Sequence, residues 1–261
     1  MTSFLLRALD DLLRLAVPLS CAGCGVVDVV LCPRCSARLA EPPRRVEHAA
    51  PRLDRMTGIP QWPVWALTAY TGEVRDLVVA WKDRGRTDLD GRLRDATVRL
   101  ARTTAEIALA TVRPGAVVLV VPVPSTASAR RRRGREPVVT LARAVTDALA
   151  DVPGRPRRGR VRLIRALEHR PRVRAGALDQ VGLGSRARGG NLAGAVRVRR
   201  AAPSLRGVAC VLVDDVLTTG ATLVECERAI LAAGGSVVAG LVLAATPSPT
   251  SYPAGVLSMM S

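Results

Sequence analysis

Two stretches of this 261-residue chain carry side chains whose type and spacing can do chemistry. The first is Cys21-x2-Cys24-x7-Cys32-x2-Cys35. Two close pairs, each in a tight turn, bring four thiolates to the corners of a tetrahedron, the geometry that zinc accepts. Gly23 and Gly25 around the first pair and Pro33 within the second let the chain turn sharply. Disulfides are the competing reading. They are disfavoured because residues 4–19 do not read as an export signal: Asp10 and Asp11 break the apolar run, and a reducing compartment keeps thiols free. With every position filled by cysteine, such a zinc would be structural. Cys210 and Cys226 read as core residues.

The second stretch is Val211-Leu-Val-Asp214-Asp215-Val-Leu-Thr218-Thr219-Gly220-Ala221-Thr222. An apolar strand delivers two carboxylates to its C-terminal edge, where α/β sheets place ligands. A Thr-Thr-Gly turn then opens a helix, whose first N–H groups and hydroxyls converge on an anion. Gly220 permits a tight turn with close backbone approach. Carboxylates do not suit a phosphate, but they suit the hydroxyls of a sugar that carries one. The magnesium strand of P-loop NTPases looks alike, yet that reading needs G-x-x-x-x-G-K-[ST], and the single lysine, Lys82, lies outside any such loop. Gly182-Leu-Gly184-Ser-Arg-Ala187 imitates a dinucleotide fingerprint without the preceding strand. A plain strand–turn–helix junction leaves Asp-Asp with Thr-Thr-Gly-x-Thr unexplained.

The elements that must hold these residues alternate. Strands are predicted over Val64–Tyr70, Ala116–Val121, Ala195–Val198, Val208–Val213 and Ser236–Ala244. Helical faces are carried by Val74, Leu77, Val78 and Trp81; by Leu93, Ala96, Leu100, Thr104 and Ile107; by Val138, Leu141, Val145 and Leu149; and by Leu223, Cys226 and Ile230, ending at Gly234-Gly235. This order predicts an α/β fold with a mainly parallel sheet flanked by helices. The expected organisation is an amphipathic helix over 1–20, a four-cysteine module over 21–40, a Pro- and Arg-rich linker over 41–63, the α/β domain over 64–246 and a disordered tail over 247–261.

Apolar residues make up 48% of the chain, enough for a packed core, while aromatic residues make up only 2%, so Val, Leu, Ile and Ala must fill it. The formal net charge of +17 invites a polyanion, either nucleic acid or a phosphorylated small molecule. A codon bias toward arginine explains the same charge. Arg155–Arg174 holds nine arginines against one acid, Glu168. With so few aromatics to stack on bases, single-stranded DNA binding would be mainly electrostatic and would weaken steeply with salt. No transmembrane span is predicted, and a cytoplasmic location is expected.

Residues 211–222 resemble the motif that binds 5-phosphoribosyl-1-pyrophosphate (PRPP) in type I phosphoribosyltransferases. Two further stretches are similar to the competence protein ComF family: Val121-Pro-Val-Pro124 followed by Arg130–Gly134, and Gln180-x-x-Leu183-x4-Arg188-x-x-Asn191-Leu192-x-Gly194-Ala195. The four-cysteine module in front has that family's order, a zinc ribbon ahead of the transferase domain. The resemblance implies that Asp214 and Asp215 bind the ribose 2′- and 3′-hydroxyls and that Thr218, Thr219, Gly220, Ala221 and Thr222 hold the 5′-phosphate. It implies a pyrophosphate loop at Pro124 and Ser125, with Arg130–Arg133, Arg132 among them, either as countercharge or as a solvated face. Residues 170–191, including Arg172, Gln180, Arg188 and Asn191, take the place of a loop that closes over the site. Mg²⁺ with PRPP and structural Zn²⁺ are the implied metals, and single-stranded DNA or a DNA-uptake protein the implied partners, with or without turnover. Relatives carry Gly-Phe-Asn-Gln where this chain has Gly134-Arg135-Glu136-Pro137. No acceptor or catalytic base emerges, and Glu168 and His169 are expected at the surface.

Overall fold

A computed structural model describes residues 19–50, 52–53, 62–152, 160–170 and 194–247. Its six-stranded sheet takes strands in the order β1 (Arg44–Arg45), β2 (Val64–Ala69), β8 (Ser236–Ala245), β7 (Ala209–Leu217), β3 (Val118–Pro122) and β4 (Val161–Leu163). All neighbours are parallel except β1 on β2. β7 lies inside the sheet, and the burial of Cys210–Val213 on both faces follows from that stretch being apolar throughout, as parallel strands require.

One face is covered by α2 (Gly72–Asp83), α3 (Asp90–Ala108) and α5 (Pro137–Ala150), which pack Trp81, Leu93, Leu100, Leu141 and Leu149 against Val211 and Val213. The other face carries α6 (Ala221–Ala232) and a separate antiparallel pair, β5 (Leu167–His169) with β6 (Val196–Val198). A short helix, α1 (Pro33–Leu39), follows the first three cysteines.

The predicted α/β architecture is the one observed. β7 runs four residues beyond the expected Val213, so both aspartates lie within the strand. The Arg-rich α4 (Ala127–Arg133) was not expected, because it buries no residue and so has no apolar period; it is capped by Thr126, whose hydroxyl accepts from the Ala129 N–H at 3.2 Å. Within the stretch read as linker, β1 pairs with β2, and Glu47, fully buried, accepts from the Val64 N–H at 3.0 Å. The expected helix at the N-terminus, the loop residues Arg172, Gln180, Arg188 and Asn191, and the tail from 248 onward lie outside the described residues.

Candidate functional site

Successive residues of a strand point to opposite faces, so Val211 and Val213 enter one core and Leu212 the other. Asp215 therefore turns toward α2 and Asp214 toward α6. Asp215 is 2% exposed, and Lys82 from α2 sets Nζ 2.7 Å from its Oδ1 and 2.5 Å from its Oδ2. The contact to Oδ2 lies off the hydrogen-bond direction, so this buried oxygen retains accepting capacity.

Asp214 is half-buried, and its Oδ1 accepts from the Asp215 N–H at 2.8 Å. Burial, reinforced by the neighbouring Asp215 charge, pushes its carboxyl up from 3.8 to about 7, against the opposing pull of Lys82 and of that N–H. The sign follows. Between pH 3.8 and about 7 the folded chain keeps a proton that the unfolded chain releases, so this group's contribution to stability is lost as pH rises through about 7. Thermal unfolding of the wild type minus that of Asp214→Asn is therefore expected to decline from pH 4 to 7 and to level off above.

Gly220 opens α6 at φ +77°, and a Cβ there would meet Leu53 Cγ at 2.7 Å and Ala50 Cβ at 3.2 Å. The Thr219 carbonyl accepts from the Arg52 N–H at 3.1 Å. The turn is thus braced from behind by Ala50, Arg52 and Leu53. Gly220→Ala combines left-handed strain of about 1–2 kcal/mol with that clash, and an expected loss of about 2–4 kcal/mol is readable by denaturant unfolding.

In front of the turn lies a cavity of about 500 Å³. Asp214, Asp215, Thr218 and Thr222 line it from β7 and α6, and Lys82 and Asp83 from α2. Pro124, Ser125 and Thr126 line it from the loop after β3. Of the residues expected to bind the 5′-phosphate, Thr218 and Thr222 reach this cavity; Thr219 turns its hydroxyl to the Ala221 N–H at 3.4 Å. Arg133 lines the cavity and donates to Asp83 at 2.9 Å, whereas Arg132 reaches the same Asp83 oxygen at 3.1 Å with its side chain 69% exposed.

His169 also lines the cavity, which corrects the expected surface position. Its Nε2 lies 2.9 Å from the Pro124 carbonyl oxygen. A carbonyl only accepts, so Nε2 carries the proton of this contact. Glu168, next to it, pairs instead with Arg197 at 2.9 Å. Neither Lys82 nor His169 was legible as a site residue, since each meets its partner across a long separation in sequence.

Residues 132–259 match the family description "Phosphoribosyl transferase domain". The matched stretch, just under half of the chain, is similar to that domain. The match takes in Asp214–Thr222 and Arg133, while Lys82, Pro124, Ser125 and the four cysteines Cys21, Cys24, Cys32 and Cys35 precede it. No curated protein matches the sequence. Among solved structures, one titled as an analysis of an invariant aspartic acid in HPRTs (the glutamic acid mutant) is 15% identical. That likeness covers 64% of this chain and 75% of the other, at a TM-score of 0.35.

The four cysteines form a second candidate centre. Their Sγ atoms all lie within 4.8 Å of one another, and none is in a disulfide. The Cys32 N–H points to Cys21 Sγ at 3.4 Å and the Cys35 N–H to Cys32 Sγ at 3.5 Å. Tetrahedral zinc–thiolate bonds of about 2.3 Å put neighbouring sulfurs about 3.8 Å apart, so the cluster fits a thiophilic tetrahedral ion. Cβ-less Gly23 is required beside it, because a methyl group there would sit 2.8 Å from Cys35 Sγ. Cys21, Leu31, Cys32, Cys35 and Leu39 belong to the same core as Trp65, Leu67, Leu77 and Trp81, so the cluster is built into the α2 face of the sheet.

No described helix is long and apolar enough to cross a membrane.

Proposed function

We propose that this protein is a ComF-type phosphoribosyltransferase that binds PRPP with Mg²⁺ and transfers its phosphoribosyl group to an acceptor. The observation that carries the reading is the pairing of buried Asp215 and half-buried Asp214 with the Thr218–Thr222 turn around one cavity. In this reading the two carboxylates accept from the ribose 2′- and 3′-hydroxyls. Asp215 Oδ2, already desolvated and short of a directed donor, gains most from such a bond. Thr218 and Thr222, with the first N–H groups of α6, hold the 5′-phosphate. Pro124 and Ser125 border the pyrophosphate, and Arg133, lining the cavity, is a better placed countercharge than the exposed Arg132. Magnesium bound with PRPP would supply positive charge that offsets the charge of the leaving group.

The four cysteines hold a structural zinc in the same proposal, and the chain divides at 20, 40, 63 and 246 as its composition predicts. Calorimetric titration of PRPP with Mg²⁺ into the zinc-loaded protein tests the function. Saturable binding at one site per chain is expected; none from a folded protein overturns the reading. A second reading, PRPP-responsive binding of single-stranded DNA or of a DNA-uptake partner without turnover, rests on the net charge of +17. Its mark is DNA affinity that falls steeply between low and moderate salt.

A further inference from the structure

We propose that Lys82 is the residue by which this site selects a ligand bearing a diphosphate over a sugar monophosphate. The inference rests on the PRPP reading and deepens it. Lys82 is the only lysine of a chain whose other basic residues are arginines and two histidines, and it stands at the end of α2 with its side chain 27% exposed. Its ammonium donates to Asp215 Oδ1 at 2.7 Å and stands 2.5 Å from Oδ2. The carboxylate that must receive a ribose hydroxyl is therefore already engaged by an internal cation.

Among the described residues lining the cavity, Thr218 and Thr222 offer a phosphate hydroxyls rather than charge, and Lys82 and Arg133 are the lysine and arginine. A sugar monophosphate seated there offers the ammonium nothing, and it must share Asp215 with Lys82. A diphosphate at the loop of Pro124, Ser125 and Thr126 changes that balance, because those residues line the same cavity as Nζ. Its oxygens give the ammonium a second anion, and the flexible four-carbon stem with three donors lets Lys82 serve both. Arg133 lines the same cavity but is paired with Asp83 at 2.8–2.9 Å, so Lys82 is the cation that links the diphosphate to Asp215. The binding energy of the diphosphate is thus coupled to freeing Asp215, and a ligand without one gains no such coupling.

The test is a double comparison. Wild type, Lys82→Met and Lys82→Arg, each shown to be folded and zinc-loaded, are titrated calorimetrically with PRPP·Mg²⁺ and with ribose 5-phosphate. Lys82→Met is expected to weaken PRPP by about 10- to 100-fold, the range of hydrogen bonds to charged groups, and to reduce the preference for PRPP over ribose 5-phosphate by at least about tenfold. Lys82→Arg, which keeps the charge, is expected to recover part of that preference. Equal weakening of both ligands would mark Lys82 as only a structural counterion of Asp215 and overturn the proposal, as would unchanged PRPP affinity. Should the wild type take ribose 5-phosphate without preferring PRPP, the selection by Lys82 fails while the sugar-phosphate site stands. Should it take neither, the PRPP reading itself fails, and this assignment with it.

Discussion

Replacing Asp214 and Asp215 together by alanine is expected to weaken PRPP·Mg²⁺ binding by at least about 100-fold. Two hydroxyl-to-carboxylate hydrogen bonds at about 1.5–3 kcal/mol each give about 3–6 kcal/mol, or about 10²- to 10⁴-fold in affinity. The estimate belongs at the upper end for Asp215, whose carboxylate is 2% exposed and so gives up no further hydration when a ligand arrives. The single variants divide the effect by mechanism. Asp215→Asn keeps the shape but leaves the Lys82 ammonium without its counterion, so it should lower the melting temperature as well as affinity. Asp214→Asn removes the carboxyl that burial and the Asp215 charge push up to about 7. If ionised Asp214 receives the hydroxyl, wild-type affinity should fall as pH drops below about 7, and that dependence should vanish in the variant. A double variant that stays folded and binds PRPP as the wild type does would refute the assignment of both carboxylates.

The parts of this site legible in sequence are those written locally. The run Val211–Val213 predicts a buried strand because it is apolar on both faces, and Thr218–Thr222 predicts the turn because glycine and hydroxyls fall together. The four cysteines are legible through spacing alone. What sequence reasoning missed is assembled over distance. Lys82 was visible as a position on a helix, but its partner lies 133 residues away, and no local pattern links the two. His169 reads as surface because the short strand β5 has no period long enough to betray an inward face; only its 2.9 Å contact to Pro124 places it at the cavity. Residues 44–53 read as linker because Pro and Arg carry no apolar rhythm. Their role comes from two contacts with the Thr-Thr-Gly turn, Arg52 to the Thr219 carbonyl and Leu53 against Gly220. The arginines of α4 show the converse: a run readable as one charged face is divided by the fold into Arg133, 10% exposed at the cavity, and Arg132, 69% exposed outside it.

Loss of one zinc ligand is expected to destabilise the whole domain rather than the cysteine segment alone. Cys35 is 2% exposed, and burial, aided by the neighbouring Cys32, Cys21 and Cys24, pushes its thiol far above the ordinary range, while backbone N–H groups of Cys24, Cys32 and Gly23 outweigh burial at Cys21 and bring it to about 6. Four thiolates so close repel one another unless a cation sits among them; zinc supplies that cation, and its binding energy becomes folding energy. The same cluster is tied to the α/β core on several sides. Leu31 and Leu39 pack with Trp65 and Leu77, Arg34 pairs with Glu73, and Arg86 donates to the Ser20 carbonyl at 2.9 Å while held by Asp88. Cys35→Ser should therefore cost at least about 3 kcal/mol, or about 6–12 °C in melting temperature for a chain of this size, in a single cooperative transition. Chelation of the wild type should reproduce the shift, and metal analysis should return one zinc per chain before chelation and none after. Two separated transitions would mean that the module folds apart from the sheet, against the shared core. An unchanged melting temperature in the Cys35→Ser variant, with no zinc in the wild type, would leave the four cysteines as core thiols. The expected single transition has a consequence for the PRPP site, because α2 touches the cysteine segment through Glu73, which meets Gly23 and Arg34, and also carries Lys82. Zinc removal should then weaken PRPP binding at temperatures well below global unfolding, although no cysteine lines the cavity.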